Sequence, residues 1–457
     1  MSSISTALYN SAQALQVFEQ CMNVTQNNVS NANTPGYARQ VQTLQADPFD
    51  AEQGLLGGVS AGPVQSTRDV YAETQVQTEQ SAENLASQSV SDLTTLEPQF
   101  DVTGATGISA ALNNLFNSFS ALSVSPNDTE TRQNVLTQAQ DTAQAFNQTA
   151  TAILSAGTSV DSETQATLNN INRLAGTIAQ LNSQVRANPD GSVDAGVDAQ
   201  MYNSLEELSQ YANFTTVQQP NGTISVYLGG QTPLVMGDTA CSIQGNLSLP
   251  QTEIEDQNGN DITSQITGGQ LGSELQTTNT LLPSYLNSLN TLAQTLADQV
   301  NTTLDGGLDA NGQAPTTDLF SYDTASDAAF TLSVNPLTTD QLAAASASAP
   351  GGNGNALALS ALENANVVNG ETFTEAFGAL GGQVGQDISN AQNQQTTSQS
   401  LLTQAQNLRS QVSGVSLDQE AANLMTYQEA YQATSKMFSI LENLDGVTLG
   451  LIPTPAS

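Results

Sequence analysis

Near its start the chain places Leu8, Leu15, Met22 and Val29 seven residues apart, with Ile4, Ser11, Phe18 and Thr25 at the complementary spacing. Interleaved sevenfold series of this kind form the a/d seam of a helix that packs against another helix. Ser2, Ser3 and Ser5 offer oxygens for the first free amides, so the pattern predicts a helix from Ile4 to Val29, ~39 Å long at ~1.5 Å per residue. A second series closes the chain: Leu417, Leu424, Tyr431 and Phe438, with Tyr427, Thr434 and Leu441 between them, opened by Ser416 and Gln419 at capping-box spacing. Just upstream, Leu401, Ala405, Leu408 and Val412 keep helical spacing up to a break at Ser413-Gly414. Two amphipathic helices can simply cover one globular core. The alternative is that the chain ends pair as a coiled coil and turn their remaining faces to other subunits.

The interior stays helical. Leu112, Leu115, Phe116, Phe119 and Leu122 mark one segment, and Leu136, Ala139, Phe146 and Ile153 a second. Leu168, Ile171, Leu174, Ile178, Leu181 and Val185 mark a third, and Leu282, Leu286, Leu289, Leu292, Leu296 and Val300 a fourth. Strand signals are confined to one interior region, where Pro220-Asn221-Gly222 joins Phe214–Thr216 to the alternating Ile224, Val226 and Leu228 as a hairpin. Leu234-Val235-Met236 and Phe330-Leu332-Val334 are further short-strand candidates. The expected fold is mainly α, with long terminal helices paired as a coiled coil, a helical-bundle body and a small inserted β-rich module. The terminal-helix core domain takes residues 1–60 and 401–457, the helical body takes 61–211, 263–312 and 351–400, the β-rich module 212–262, and a short β/loop insertion 313–350.

Composition narrows the function. Seven Lys plus Arg against 43 Asp plus Glu give a net charge of -36, which repels phosphate backbones and anionic lipid. Nucleic acid and membrane partners are therefore not expected. No apolar run reaches the ~18 residues of a membrane span, and the first ten residues lack a basic stretch followed by an apolar one. Cys21 and Cys241 read as two small buried hydrophobes rather than a disulfide framework or zinc site.

The chain has no histidine, which removes Ser-His-Asp and Cys-His nucleophiles, HExxH zinc sites and haem ligation together. Asp190, Asp194 and Asp198, and separately Asp305, Asp309 and Asn311, have oxygen-rich spacing, but neither group fits the calcium loop that ends in Glu. Acidic, Gly-rich turns account for both. Two carboxylates would serve a glycosidase, yet the chain has no Trp to form a sugar platform. Gly229-Gly230, Gly351-Gly352 and Gly381-Gly382 lack the following Lys of a phosphate loop. No catalytic, cofactor or metal site is expected, and the chain reads as a non-enzyme.

One short stretch stands out. In "NVSNANTPGYARQ", Pro35 pre-sets and Gly36 completes a type II turn over Thr34–Tyr37, which stops the first helix sharply. Asn31 and Asn33 can bond the unwinding backbone, while Tyr37, Arg39 and Gln40 carry planar polar groups suited to fixing the next segment. This segment, "LYNSAQALQVFEQCMNVTQNNVSNANTPGYARQ", resembles the N-terminal segment shared by the flagellar rod, hook and hook-associated proteins, and its "RQ" ending tilts towards the hook-associated branch. "SGVSLDQEAANLMTYQEAYQATSKMFSILENL" is similar to the terminal helix of that branch, with Tyr427, Gln428, Ala430, Tyr431 and Ala433 on pattern. "INRLAGTIAQLNSQV", "PLVMG" and "GNGNALALSALEN" resemble its interior segments. The chain departs where "GVDAQMYNSLEELSQ" replaces an acidic, Arg-containing stretch, and the shortness of Asp318–Ala349 beside longer family members implies a reduced or absent outermost domain.

The resemblance implies a structural subunit at the junction between flagellar hook and filament, needed for filament assembly, exported without a cleaved signal and ending outside the cell. Its implied partners are the hook protein, a second junction protein (hook-associated protein 3), further copies of itself in a ring or helical layer, and an export chaperone on the C-terminal helix. The implied subunit-interface residues are Leu8, Leu15, Phe18, Met22, Val29, Asn33, Pro35, Gly36, Tyr37, Arg39, Leu424, Tyr427, Tyr431, Phe438 and Leu441. The terminal helices are expected to be disordered in the free subunit and to order on assembly. The alternatives are a hook or distal-rod protein, or an adhesin carried on flagellar ends with the module around Asn213–Met236 as its working part.

Overall fold

The computed structural model describes residues 3–50, 55–103, 106–187, 194–248, 251–323 and 326–450. The chain forms two compact units. One is made of residues 1–81, 171–242 and 399–457, the other of 82–170 and 243–398.

The first unit begins with α1 (Ser3–Ser30), which is free of Gly and Pro, followed by an antiparallel pair, β1 (Gln40–Asp50) and β2 (Leu55–Ser66), that packs on it. Ser2, one of the candidate caps, lies outside the described residues. Strands are therefore not confined to the interior, as the sequence suggests. Residues 40–66 carry Pro48, Pro63 and several glycines among polar side chains, so no alternating apolar face announces them; docking on α1 makes them strands.

From α2 (Val70–Thr94) the chain enters the second unit with α3 (Gly107–Val124) and α4 (Thr129–Arg186). The second and third helical segments read from the sequence are one continuous 58-residue helix. The intervening stretch has few apolar residues but no proline, and Thr164 Oγ1 and Ser159 Oγ bond carbonyls one turn back rather than breaking the helix.

The end of α4 returns to the first unit and leads to α5 (Ala195–Tyr211), capped by Asp194, whose Oδ1 accepts from the Gly196 amide at 2.8 Å. Then come β3 (Phe214–Gln218), β4 (Ile224–Leu228), β5 (Thr232–Met236) and β6 (Thr239–Ala240), a four-stranded antiparallel sheet in that order. The expected hairpin is present, with Gln218 opposite Ile224 and Gly222 at φ +83° in the turn. Asn182 of α4 holds the sheet: Nδ2 donates to the carbonyls of Ile224 and Gly237, each at 2.7 Å, and Oδ1 accepts from the Ile224 amide.

The second unit continues with the hairpin β7 (Gln244–Ser248) and β8 (Gln251–Glu255), then α6 (Gly269–Gln276) and α7 (Leu282–Asp305). A π turn at Thr277–Leu281 joins these helices just before Pro283, which has no amide to continue the ladder. Short pieces follow: β9 (Gly307–Leu308), β10 (Phe320–Ser321), α8 (Ala328–Thr331), β11 (Ser333–Val334), β12 (Ala345–Ser346) and α9 (Gly354–Ala361). Of the suggested strand there, Ser333 and Val334 pair, opposite Ser321 and Phe320, while Phe330 lies in α8. Finally α10 (Phe373–Ser413) ends at the expected Ser413-Gly414 break, and α11 (Leu417–Gly450) completes the first unit.

The second unit holds the main core, built from Phe116, Phe119, Phe146, Leu289, Leu296, Phe373 and Phe377 and their neighbours. Arg132 is its sole basic residue, and it is buried, donating to the carbonyls of Pro126, Thr339 and Leu342. The unit nevertheless buries two carboxyl groups beside the π turn. Glu274 takes the Thr167 hydroxyl at 2.8 Å, and Asp92 takes Gln88 Nε2 at 2.7 Å, a side chain also bonded to Glu163. Burial pushes Asp92 up to about 6 and Glu274 up to about 7, each helped by a neighbouring carboxylate.

Both groups hold a proton more tightly when folded, so their contribution is complete below about pH 4 and is lost as pH rises through 6 and 7. Asp256, held down to about 2 by bonds from Asn260 and Asn258, is ionised in both states over that range and adds no slope. The expected result is that unfolding of the main-core helices occurs at a lower temperature at pH 8 than at pH 5, by a stability difference on the order of a few kcal/mol. Calorimetry of the full chain checks this, and Glu274→Gln should flatten the dependence.

Candidate assembly site at the paired chain ends

The two terminal helices pair within one chain. The buried positions of α1 are Ser11, Val17, Cys21, Thr25 and Asn28. Leu8, Leu15, Phe18 and Met22 are half-buried, as are Leu424, Tyr427, Phe438 and Leu441 of α11. Three members of the expected seam face outwards instead, Val29 at 43%, Leu417 at 55% and Tyr431 at 36% exposure. A straight helix at 3.6 residues per turn drifts about 20° per heptad from a strict sevenfold repeat, and α1 is also covered by β1 and β2, which shifts its buried stripe.

The turn that follows α1 answers why so many polar residues gather there. The Tyr37 amide donates to the Thr34 carbonyl at 3.1 Å with Gly36 at φ +71°, the expected type II turn. Asn33 and Pro35 are exposed. Gly36 lies against α5, where a Cβ would come within 2.3 Å of the Ala199 carbonyl oxygen. Glycine is therefore required twice, for its φ and for its lack of bulk.

Asn28 is the centre of the site. Its Nδ2 donates to the Gln40 carbonyl at 2.8 Å and to Glu420 Oε2 at 3.1 Å, and its Oδ1 accepts from the Gln40 amide and the Tyr37 hydroxyl, each at 2.9 Å. Every hydrogen-bonding position of the amide is used. Glu420, whose side chain is 1% exposed, also takes Arg39 Nε at 2.7 Å on its other oxygen. Burial, and then the Glu420 charge, pushes the Tyr37 phenol up to about 12, which keeps its proton on the bond to Asn28. The Arg39 amide donates to the Ser413 carbonyl, and the Ser413 hydroxyl accepts from the Asp69 amide. The end of α1, the start of β1, the end of α10 and the start of α11 thus meet in one hydrogen-bonded knot.

A second knot lies beside it. Arg68 Nη1 donates to Glu73, Nη2 donates to Asp198 at 2.8 Å and to the Gly36 carbonyl at 2.6 Å, and the guanidinium stacks 3.9 Å from the Tyr202 ring centroid. Arg409 reaches the same Glu73 at 3.3 Å and Glu206 at 2.7 Å. Sequence reasoning did not find Glu420, Arg68, Glu73, Asp198, Glu206 or Arg409. The available signal was the scarcity of bases, since each of so few arginines has many carboxylates to choose from. Of the oxygen-rich clusters, Asp190 lies outside the described residues, Asp194 caps α5, and Asp309 accepts from the Asn311 and Gln313 amides in a turn. Cys21 and Cys241 are both free and buried.

Three family models match the chain in order. A flagella basal body rod protein model matches residues 8–37, the model of the flagellar hook-associated protein FlgK helical domain matches 93–320, and the flagellar basal body rod FlgEFG protein C-terminal model matches 406–451. The chain belongs to the flagellar hook-associated protein 1 family. Flagellar hook-associated protein 1 of Bacillus subtilis is 23% identical, over 97% of this chain and 97% of the relative. The protein of that name from Escherichia coli is 22% identical over 95% of this chain and 97% of its own length. The fold matches the flagellar hook junction protein FlgK from Burkholderia pseudomallei with a TM-score of 0.67 at 18% identity, covering 74% of this chain and all of that one. In this family member the rod-type N-terminal match, residues 8–37, contains Asn28 and the Gly36 turn, while the C-terminal match, 406–451, contains Arg409 and Glu420.

Arg68→Met should leave Glu73 and Asp198 short of their main partner and lower the stability of this unit by about 3–5 kcal/mol, the usual cost of breaking a buried pair. Gly36→Ala should cost at least about 1–2 kcal/mol from backbone strain alone, with the clash on α5 added. Urea unfolding of the full chain followed by circular dichroism, with limited proteolysis at residues 31–38, measures both.

Proposed function

We propose that this chain is a structural subunit of the bacterial flagellum that forms the junction between hook and filament and is needed for filament assembly. The observation that carries the reading is the pairing of the chain ends, locked by Asn28, Arg39 and Glu420, with an outer face of α11 left apolar and uncovered. Met425, Met437, Ile440, Leu444 and Val447 on that helix are each between 48% and 67% exposed. A row of this kind on a chain of net charge -36 is a surface for other subunits rather than for solvent.

In this reading the paired helices stack head to tail around an axis, in a ring or open helical layer. The half-buried Leu8, Leu15, Phe18, Met22, Leu424, Tyr427, Phe438 and Leu441 hold the pair, and Val29 and Tyr431 face neighbouring copies. The exposed Asn33–Pro35 tip borders the next subunit, while Gly36, Tyr37 and Arg39 fix its direction. The hook protein lies on one side and a second junction protein, hook-associated protein 3, on the other. The chain acts outside the cell, is exported without a cleaved signal, is held by an export chaperone on α11 beforehand, and performs no catalysis. No helix among the described residues is long and apolar enough to cross a membrane.

The α1 stripe buries few large apolar groups, with Ser11, Thr25 and Asn28 among its buried positions. A pair so thinly packed gains most of its stability from neighbours. In the free subunit α1 and α11 should therefore exchange amide protons rapidly and become protected on assembly; protection in the monomer equal to that of the main core counts against this. Cells lacking the chain should carry hooks without filaments and lose flagellin to the medium, as scored by electron microscopy and immunoblotting. Filaments of normal number and length on such cells would sink the junction role.

A further inference from the structure

In the first unit the opening turns of α2 and the closing turns of α10 lie side by side, and the core cluster between them is only Val76, Leu402 and Ala405. Along their outer side runs a groove of ≈ 860 Å³ lined by Tyr71, Ala72, Leu401, Leu408 and Val412 among others. Tyr71 is 89% exposed, and Leu401, Leu408 and Val412 are 42%, 48% and 45% exposed. The last three recur at i, i+7 and i+11, the spacing of a face prepared for another helix. Asp69 and Glu79 line the same groove and make it acidic.

The same chain carries a matching ridge. Met437, Ile440, Leu444 and Val447 recur at i, i+3, i+7 and i+10 on the exposed side of α11. Beside them stands Lys436, the chain's sole lysine, one turn from Ile440. Five arginines pair with carboxylates and Arg132 with carbonyls, whereas Lys436 makes no ion pair among the described residues. Groove and ridge also agree in length: Leu401 to Val412 spans ~16 Å and Met437 to Val447 ~15 Å along their helices.

A chain cannot place its own ridge in its own groove. Unbroken helix from Leu417 carries Met437 ~30 Å away from the helix start, which itself lies just beyond Val412. We propose that the groove between α2 and α10 receives the outer face of α11 from a second copy of this chain, with Lys436 set against Glu79 at the Leu401 end. This rests on the junction reading and names the partner face for its apolar stripe. The contact is heterologous, so each copy offers a free groove and a free ridge and the contact propagates. Charge selects the face: on so acidic a chain, most approaches bring like charges together, and the ridge carries Lys436, which makes no ion pair among the described residues.

The test uses cells whose own copy is replaced by a chain carrying Leu408→Cys and Leu444→Cys, with Leu401→Cys and Met437→Cys as a second pair should the first impair assembly. Cys21 and Cys241 are buried and set the background. After mild oxidation of isolated hook-filament structures, the double variants should give ladders beyond the dimer that neither single variant gives. Lys436→Glu should lower the number of filament-bearing hooks about tenfold, the effect of ~1.4 kcal/mol, and Glu79→Lys in the same chain should restore it. Filament-bearing hooks with no ladder from either pair, and with attachment indifferent to Lys436→Glu, overturn the groove pairing and leave the junction role standing. Normal filaments on cells lacking the chain altogether overturn the junction role instead.

Discussion

The buried carboxylate of Glu420 is the constraint on which the first unit turns. A charge removed from water must be both paired and hydrogen-bonded, or its desolvation outweighs whatever packing surrounds it. Arg39 supplies the pair and Asn28 the second bond, so the end of α1 and the start of α11 can be buried together only if the turn between Asn31 and Tyr37 delivers both groups at once. That requirement runs back into the turn. Gly36 must reach positive φ and lie flat on α5, and Arg68 then gathers the Gly36 carbonyl, Glu73 and Asp198. Residues nearly four hundred positions apart are joined by polar contacts that tolerate little displacement.

Such an arrangement fits a chain with almost no bases. With seven cations against 43 carboxylates, surface ion pairs cannot be distributed widely, and Arg39, Arg68 and Arg409 are placed where the buried Glu420 and Glu73 need them. The second unit follows the other available course. Holding only Arg132, which is committed to carbonyl oxygens, it leaves Asp92 and Glu274 to hydroxyl and amide partners and raises their affinity for protons. The two units thus handle buried acids by different physics, one by ion pairing and one by hydroxyl and amide bonds beside which a proton is held more tightly.

The same economy shapes assembly. The first unit fixes direction with polar contacts and leaves its apolar surface on the outer side of α11 and along the groove of α2 and α10. Polar knots specify geometry because their bonds are directional, while apolar faces provide adhesion with less regard to angle. A subunit that must join others in a fixed orientation needs both.

Much of this was legible in the chain. Sevenfold series revealed α1 and α11, Pro35-Gly36 revealed the turn, and Pro220-Asn221-Gly222 revealed the hairpin, because each depends on local periodicity or on backbone preferences of single residues. The lack of histidine excluded whole classes of chemistry. The tertiary structure alone decided which side of each helix is buried, since α1 is covered by a strand pair that no sequence pattern announced, and Val29 of α1 faces outwards. It alone made one helix of Thr129–Arg186, and it alone chose Glu420 for Asn28 and Arg39 from among 43 acids. Local order is encoded in neighbouring residues; the choice of a partner hundreds of residues away depends on where packing brings the two together.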